Sequence, residues 1–337
     1  MIETALELLT NNQDLDSKMA QAVIDEMMTG QTSDIQIAAY LAALSTKGES
    51  IAEITGSARA MRQHALPITT HRPVMDIVGT GGDQSGTFNI STTTSFVVTA
   101  AGVPVAKHGN NAATSKSGAA DVLSALGAKI DLQPEQVEKL LHQTDQAFLY
   151  ARTYHQAMKY VAPVRHSLGI KTIFNILGPL TNPANPQTML LGAYDKALLV
   201  PLARVLHNLG VQHALLVHGQ DGLDEVSLSA DTDIVELKDG QITEMTLVPE
   251  DYGFAKVPLS DLKGGTPSEN AGITREILNG NCQDAKRQIV ILNAGCALYA
   301  ANYVDDISAG IQLAQETIDD GRAFEQLTQF IQATQEV

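Results

Sequence analysis

The sequence contains no tryptophan, and aromatic residues make up only 4% of its 337 positions. Base-stacking surfaces for single-stranded nucleic acid are therefore scarce. Basic residues are few as well: 22 lysines and arginines stand against 38 acids, a formal net charge of −16. Such a surface repels a phosphate backbone unless its basic residues gather on one face, and the sequence shows no such gathering. The two cysteines, Cys282 and Cys296, form neither a disulfide framework nor a Cys-x-x-Cys redox or zinc pair, so two buried thiols in a reducing compartment are expected. No apolar run approaches the roughly 20 residues that span a bilayer. The N-terminal MIETALELL is acidic where a secretory leader is basic. The expectation is a soluble, cytoplasmic chain with neither a membrane nor a nucleic-acid partner.

What is present is ample apolar material, 44% of residues, in a chain long enough for one large unit and a smaller companion. The first seventy residues read as helices. Asp16 caps SKMAQAVIDEMM, Ser33 with Gln36 makes a capping box for DIQIAAYLAALS, and Ser50 with Glu53 makes another for IAEITGSARAMRQ. ALPITTHRPV, with Pro67 and Pro73, breaks the pattern like a hinge. From Val74 short apolar runs alternate with helical periodicity: 74–78, 103–106, 147–150, 188–194 and 213–219 read as strands, and 233–248 as a hairpin turning at Lys238-Asp239-Gly240. The fold class expected is α/β, a small N-terminal helical domain (1–70, with 165–187 available to pack onto it) and a larger α/β domain (73–337) around a central, largely parallel sheet.

Three segments carry chemistry. The first, DIVGTGGDQSGTFNIST (76–92), places glycines after a predicted strand and hydroxyl residues at a helix start near Ser91. Gly79, Gly81 and Gly82 let backbone N–H groups approach an anion, and the helix start adds its partial charge. A tight turn without a ligand is the alternative. Neither the dinucleotide fingerprint nor the P-loop fits, because Gln84 and Thr87 stand where a glycine and a lysine belong. The second segment, KHGNNAATSKSGAADVL (107–123), supplies Lys107, Lys116, Asn110, Thr114, Ser115 and Ser117 at the neighbouring strand end. The third, HGQDGLDE (218–225), ends in Asp224-Glu225, adjacent hard oxygen ligands of the kind Mg²⁺ accepts alongside substrate phosphates. An acidic protein can hold a polyphosphate when metal ions bridge carboxylate and phosphate.

With AMKYVAPVRHSLGIKTIFNILGPLTNP (157–183) added, the ordered set GTGGD, NIST, KHGN, SKSGAADVL and HGQDGLDE closely resembles the anthranilate phosphoribosyltransferases over nearly the whole chain. The resemblance implies transfer of a phosphoribosyl group from 5-phosphoribosyl 1-diphosphate (PRPP) to anthranilate in tryptophan synthesis. It also implies Mg²⁺, as a pair of ions, and a homodimer joined through the helical domains. It places Gly79, Gly82, Asp83, Thr87, Asn89, Ile90, Ser91, Thr92, Lys107, Asn110, Thr114, Ser115 and Ala119 around PRPP. It puts Ser91, Asp224 and Glu225 on the metal, and Gly79, His108, Asn110, His155, Arg165 and Pro179 around anthranilate, with no general acid or base among them.

Four positions depart from the family pattern: Asn111, Ala119 where a serine is usual, and Arg152 and Gln156 at the entry to the acceptor site. Two other readings share the architecture. A pyrimidine nucleoside phosphorylase would have a similar glycine loop, but KHGN and Asp224-Glu225 speak against it. A nucleic-acid-binding relative would need a basic groove and would lose the metal residues.

Overall fold

The computed structural model describes residues 1–112 and 115–337. Its first four helices are α1 (Ile2–Thr10), α2 (Ser17–Met28), α3 (Asp34–Lys47) and α4 (Ile51–His64). The last three start where the sequence offers a cap. Asp16 accepts from the Met19 N–H, while Ser33 with Gln36 and Ser50 with Glu53 close reciprocal capping boxes. Glu53 does more than cap. Fully buried, it accepts from the N–H groups of Leu15 and Ser50 and from the Lys47 ammonium, at 2.9, 2.7 and 3.0 Å. One carboxylate thus ties the α1–α2 connection, the end of α3 and the start of α4. Gly56 lets α4 lie directly on α2, because a Cβ there would sit 2.2 Å from the Ser17 carbonyl oxygen.

A seven-stranded sheet follows, in the order β3-β2-β1-β4-β5-β6-β7. Its strands are β1 (Met75–Gly79), β2 (Val105–Gly109), β3 (Gln146–Tyr150), β4 (Thr188–Gly192), β5 (His213–Gly219), β6 (Thr232–Lys238) and β7 (Gln241–Leu247). The first five run parallel, and β6 and β7 join as an antiparallel hairpin. Asp239 and Gly240, at φ 49° and 78°, form its two-residue turn.

β4 stops at Gly192, two residues short of the sequence reading, and β2 departs furthest from it. β2 runs from Val105 to Gly109 instead of 103–106, so Lys107 and His108 lie inside a buried strand and not in the loop beyond it. The chain turns at Gly102, φ 115°, and Pro104 has no N–H to give a ladder, whereas pairing with β3 continues to Gly109↔Tyr150. The thiols also differ: Cys296 is buried as expected, but Cys282 is partly exposed and donates to Asp284 at 2.9 Å.

Alternation along the strands feeds two cores. Leu190, Leu215, Val217 and Ile234 face one, shared with α5 (Ile90–Ala100), α6 (Ala119–Leu126), α7 (Pro134–Thr144) and the C-terminal helices. Met189, Leu191, Ala214, Leu216, Val235 and Leu237 face the other, shared with helix Leu199–Asn208, with α1 to α4, and with Val161, Val164, Ile173, Phe174 and Leu177. The N-terminal helices therefore complete the core beneath one face of the sheet. Strand order reverses at β1, which puts the loops after β1, β2, β4 and β5 around one crevice at the carboxyl ends of the strands. Among the described residues no helix is long and apolar enough to cross a membrane.

The Glu53 junction yields a stability prediction. Glu53→Ala leaves the Leu15 and Ser50 N–H groups without their acceptor and the Lys47 ammonium with only Asp14 and the Gly48 carbonyl, and should cost about 3 kcal/mol of unfolding free energy. Urea denaturation measures this; a loss below about 1 kcal/mol would place the carboxylate among ordinary caps.

Candidate active site

The crevice is organised around Asp224. β1 and β4 end in paired glycines, Gly79↔Gly192. A Cβ on Gly79 would lie 2.4 Å from Asp224 Oδ2, and one on Gly192 would lie 1.7 Å from the Asp224 carbonyl oxygen. Two adjacent strands thus leave a notch that the acidic loop fills. Asp224 Oδ2 accepts the Gly81 N–H at 2.7 Å, which draws the glycine loop over the notch. Gly81, Gly82, Gln84 and Gly86 all have positive φ. Behind Asp224, Asn293 on helix Ala285–Ala300 donates to the Val226 carbonyl and accepts the Val226 N–H, at 2.9 and 3.0 Å, from a fully buried position.

Glu225 reaches the start of α5, accepting from the backbone N–H and the hydroxyl of Ser91 at 3.1 and 2.6 Å. Burial, then the neighbouring Asp83 and Glu225 charges, push the Asp224 carboxyl well above its usual range. Burial raises Glu225 to about 7 despite the Ser91 hydroxyl and the Lys107 ammonium. Lys107 lies under them, its ammonium donating to the Ile77 carbonyl. Its pKa is lowered by burial and supported by Asp76, Glu225 and Asp224. Asp76, fully buried, is itself pushed up by burial to about 6, although Lys107, Asn182 and the His108 N–H oppose the shift.

These crowded carboxylates and the Ser91 hydroxyl are hard oxygen donors, and a divalent cation is what would let both acids ionise together. Among the described residues no three His, Cys, Asp or Glu side chains converge as a complete protein cage. A cation held by one or two carboxylates and by substrate phosphates does not need one. The donor set therefore fits Mg²⁺.

The second loop is tied to the first. Asn89 Nδ2 donates to the Ser117 carbonyl at 3.0 Å, Ser117 Oγ donates to Asn89 Oδ1 at 3.1 Å, and Asn270 Nδ2 donates to the same oxygen at 2.9 Å. Asp121 shapes the remainder, accepting from the N–H groups of Ala112 and Gly118 at 2.8 Å each and from Asn111 Nδ2 at 2.5 Å. Burial works against its charge, but these donors hold its carboxyl below the usual range. Asn111 also accepts from the Tyr150 hydroxyl, so this atypical residue spans a helix and a strand end. Ala119 begins α6 with its methyl 3.1 Å from where a Gly109 Cβ would lie. Asn110 is exposed, Ser115 donates weakly to the Ser117 carbonyl at 3.4 Å, and Thr87 pairs with Ser85 at 3.3 Å. Ile90 and Thr92 point into buried surroundings, which leaves Ile90 only its backbone for a ligand. Thr114 lies outside the described residues.

On the other side of the crevice, the His108 and His155 rings meet edge to face with centroids 5.1 Å apart. His108 Nδ1 donates to the Gly178 carbonyl at 3.1 Å, beside the buried Pro179. The Nε2 atoms of both rings are buried without a hydrogen-bond partner among the described residues. Burial, with the His155 ring and other neighbouring charges, lowers His108 to about 3; burial lowers His155 to about 4 against the Thr181 carbonyl. Both rings are neutral at physiological pH. The Arg165 guanidinium stacks over Phe174 at 5.1 Å and forms no ion pair among the described residues. Arg152 and Gln156 are exposed at the chain's approach to this side.

The structure brings Gly79, Asp83, Ser91, Lys107, Asp224 and Glu225 together, and brings His108, His155 and the Pro179 segment together. Sequence reasoning missed Asp76, Asn182, Gly192, Asn270 and Asn293. Asn182 Nδ2 donates to Asp76 and to the Ala106 carbonyl at 2.8 and 2.7 Å, linking the Leu-Thr-Asn-Pro segment to β1 and β2. The only sequence signal for it was a polar residue in an otherwise apolar strand, Asp76.

Residues 71–324 match the model of a glycosyl transferase family α/β domain, and residues 3–65 match that of the family's helical bundle domain. The anthranilate phosphoribosyltransferase of Lactiplantibacillus plantarum is 54% identical over 337 residues, covering 100% of this chain and 99% of the relative. The solved structure of the Thermus thermophilus enzyme superposes with a TM-score of 0.94 at 41% identity, covering 98% and 99% of the two chains. The Saccharomyces cerevisiae enzyme in complex with PRPP and Mg superposes with a TM-score of 0.92 at 28% identity, covering 100% and 98%.

The raised carboxyls set a pH dependence. Because Glu225 holds its proton to about pH 7 when folded, its contribution to stability is complete below its ordinary carboxyl range and is lost as pH rises through 7. Without divalent cations, the urea midpoint should fall between pH 5 and pH 8, and Glu225→Gln should lose at most about half as much over that window. An identical decline in the variant would remove Glu225 as a source.

Proposed function

This chain belongs to the anthranilate phosphoribosyltransferases, and on that premise we propose how its own residues carry phosphoribosyl transfer from PRPP to the amine of anthranilate, with release of pyrophosphate. The carrying observation is the meeting of Glu225 with Ser91, 134 residues apart, next to Asp224 seated against the paired glycines. The glycine loop after β1 and the loop after β2 hold the diphosphate and ribose through backbone N–H groups and short polar side chains. Ser91, Asp224 and Glu225 hold a pair of Mg²⁺ ions, whose charge offsets that of the departing pyrophosphate.

An aromatic amine has a free lone pair at neutral pH, so this site needs no strong general base. The low basicity of both histidines agrees. With Nδ1–H of His108 committed to Gly178, its Nε2 presents a lone pair, suited to receive an amine hydrogen of anthranilate and to aim the nitrogen at the ribosyl carbon. Arg165, without an anionic partner among the described residues, takes the anthranilate carboxylate in a planar two-point contact. The division into residues 1–70 and 73–337, cytoplasmic residence and a homodimer through the helical unit belong to the same reading. Ile35 on α3, 82% exposed, offers that unit an apolar side chain for a partner to cover.

Mixing the protein with anthranilate, PRPP and Mg²⁺ should extinguish anthranilate fluorescence; phosphorolysis of uridine or thymidine without Mg²⁺ would instead favour the nucleoside reading. Losing a charge-assisted, partly desolvated contact costs about 2 to 5 kcal/mol, so Arg165→Ala should raise the KM for anthranilate at least about tenfold. Arg165→Gln should fall between, and the KM for PRPP should stay near wild type. A variant that loses PRPP affinity and keeps its anthranilate KM assigns the acceptor site elsewhere.

A further inference from the structure

We propose that Asn270, on helix Pro267–Leu278, is a positioning residue that sets the separation of the two anion loops and through it the affinity for PRPP. The proposal rests on the reading above that both loops hold PRPP. Asn89 stands at the N-cap of α5, where an asparagine ordinarily bonds its own helix, yet its side chain makes no cap bond. It is diverted to Ser117 and Asn270 by the three contacts already described. Asn270 is 1% exposed, and its Oδ1 accepts the Gly265 N–H at 2.8 Å. A backbone N–H can only donate and a carbonyl can only accept, so both amides have one permitted orientation. The junction joins the end of the β1 loop, the β2 loop and residues 264–270.

The same downstream segment grips the glycine loop from outside. Gly264 N–H donates to the Gly86 carbonyl at 3.0 Å, Phe88 N–H donates to the Leu262 carbonyl at 3.2 Å, and the Lys263 ammonium reaches the Ser85 carbonyl. A Cβ on Gly264 would lie 2.6 Å from Phe88 Cα and 2.7 Å from Asn270 Oδ1, so the grip and the junction meet at a glycine. The start of α5 and the loop before it are therefore positioned by residues some 180 positions later, as the 181-residue separation of Asn89 and Asn270 records. Without Asn270, Asn89 Oδ1 keeps only the Ser117 hydroxyl, and the Asn89–Ser117 pair that joins the loops loses its fixed anchor on the 264–270 segment. A polyphosphate spanning both loops senses that change, and an acceptor bound near the histidines does not.

The test uses Asn270→Ala, Ser117→Ala and the double variant in steady-state kinetics, with calorimetric titration of PRPP and Mg²⁺ into each protein. Asn270→Ala should raise the KM for PRPP at least about tenfold with the anthranilate KM within about twofold, and the double variant should be no worse than the more severe single. Ser117→Ala should move the same constant by about threefold, and it carries the test alone if Asn270→Ala does not fold. An unchanged KM for PRPP in a folded variant, or an equal rise in both constants, overturns the junction. Wild-type protein that binds no PRPP in the same titration overturns the underlying reading and the proposal with it.

Discussion

The site depends on one steric concession: two neighbouring parallel strands both end in glycine, and the backbone and carboxylate of Asp224 occupy the space that side chains at Gly79 and Gly192 would fill. Everything nearby is referred to that seat. Asp224 pulls the glycine loop in through Gly81, its neighbour Glu225 fixes the start of α5 through Ser91, and Asn293 pins the next residue from the opposite helix. An acidic pair that would be ordinary on an exposed loop becomes a buried, mutually repelling donor set here. Protonation or a cation must relieve it, and that need is the physical content of a metal site before any metal arrives.

The glycine-loop and histidine sides of the crevice differ in how they handle charge. Around the glycine loop, Lys107 and Asp76 form a buried layer of opposite charges beneath the carboxylates. Around the histidines, burial removes charge altogether and leaves two lone-pair nitrogens unpaired. A polyanion with its counterions suits the first environment, and a flat aromatic amine suits the second. The Arg165 guanidinium, without an ion pair among the described residues, adds a cationic group suited to a carboxylate on such an amine.

The helical unit takes part in this arrangement through more than its core. Arg62 on α4 donates to the Leu180 carbonyl at 2.7 Å and to Asn185 at 3.1 Å, reaching the segment that also supplies Gly178 to His108 and Asn182 to Asp76. Burial lowers the Arg62 guanidinium to about 10, opposed by Asp76. Bundle and sheet thus hold the 178–185 segment between them, which couples its position to the joint between the two units.

Features governed by a few neighbouring residues were determined by the sequence alone. Caps at Asp16, Ser33 and Ser50, the Asp239-Gly240 turn and most strand segments follow from local backbone chemistry, and the ordered motifs carry the family. The extent of β2 did not follow, because polar Lys107 and His108 look like loop residues until the β3 ladder and the carboxylates around Lys107 are in place. Nor did Gly192, Asn182, Asn270 and Asn293. Each acts on a residue at least 30 positions away, Asn293 on Val226 across 67 and Asn182 on Asp76 across 106. No local period or turn rule encodes such a contact; the folded chain decided it, by closing strands and helices around polar groups that had to find partners once water was excluded.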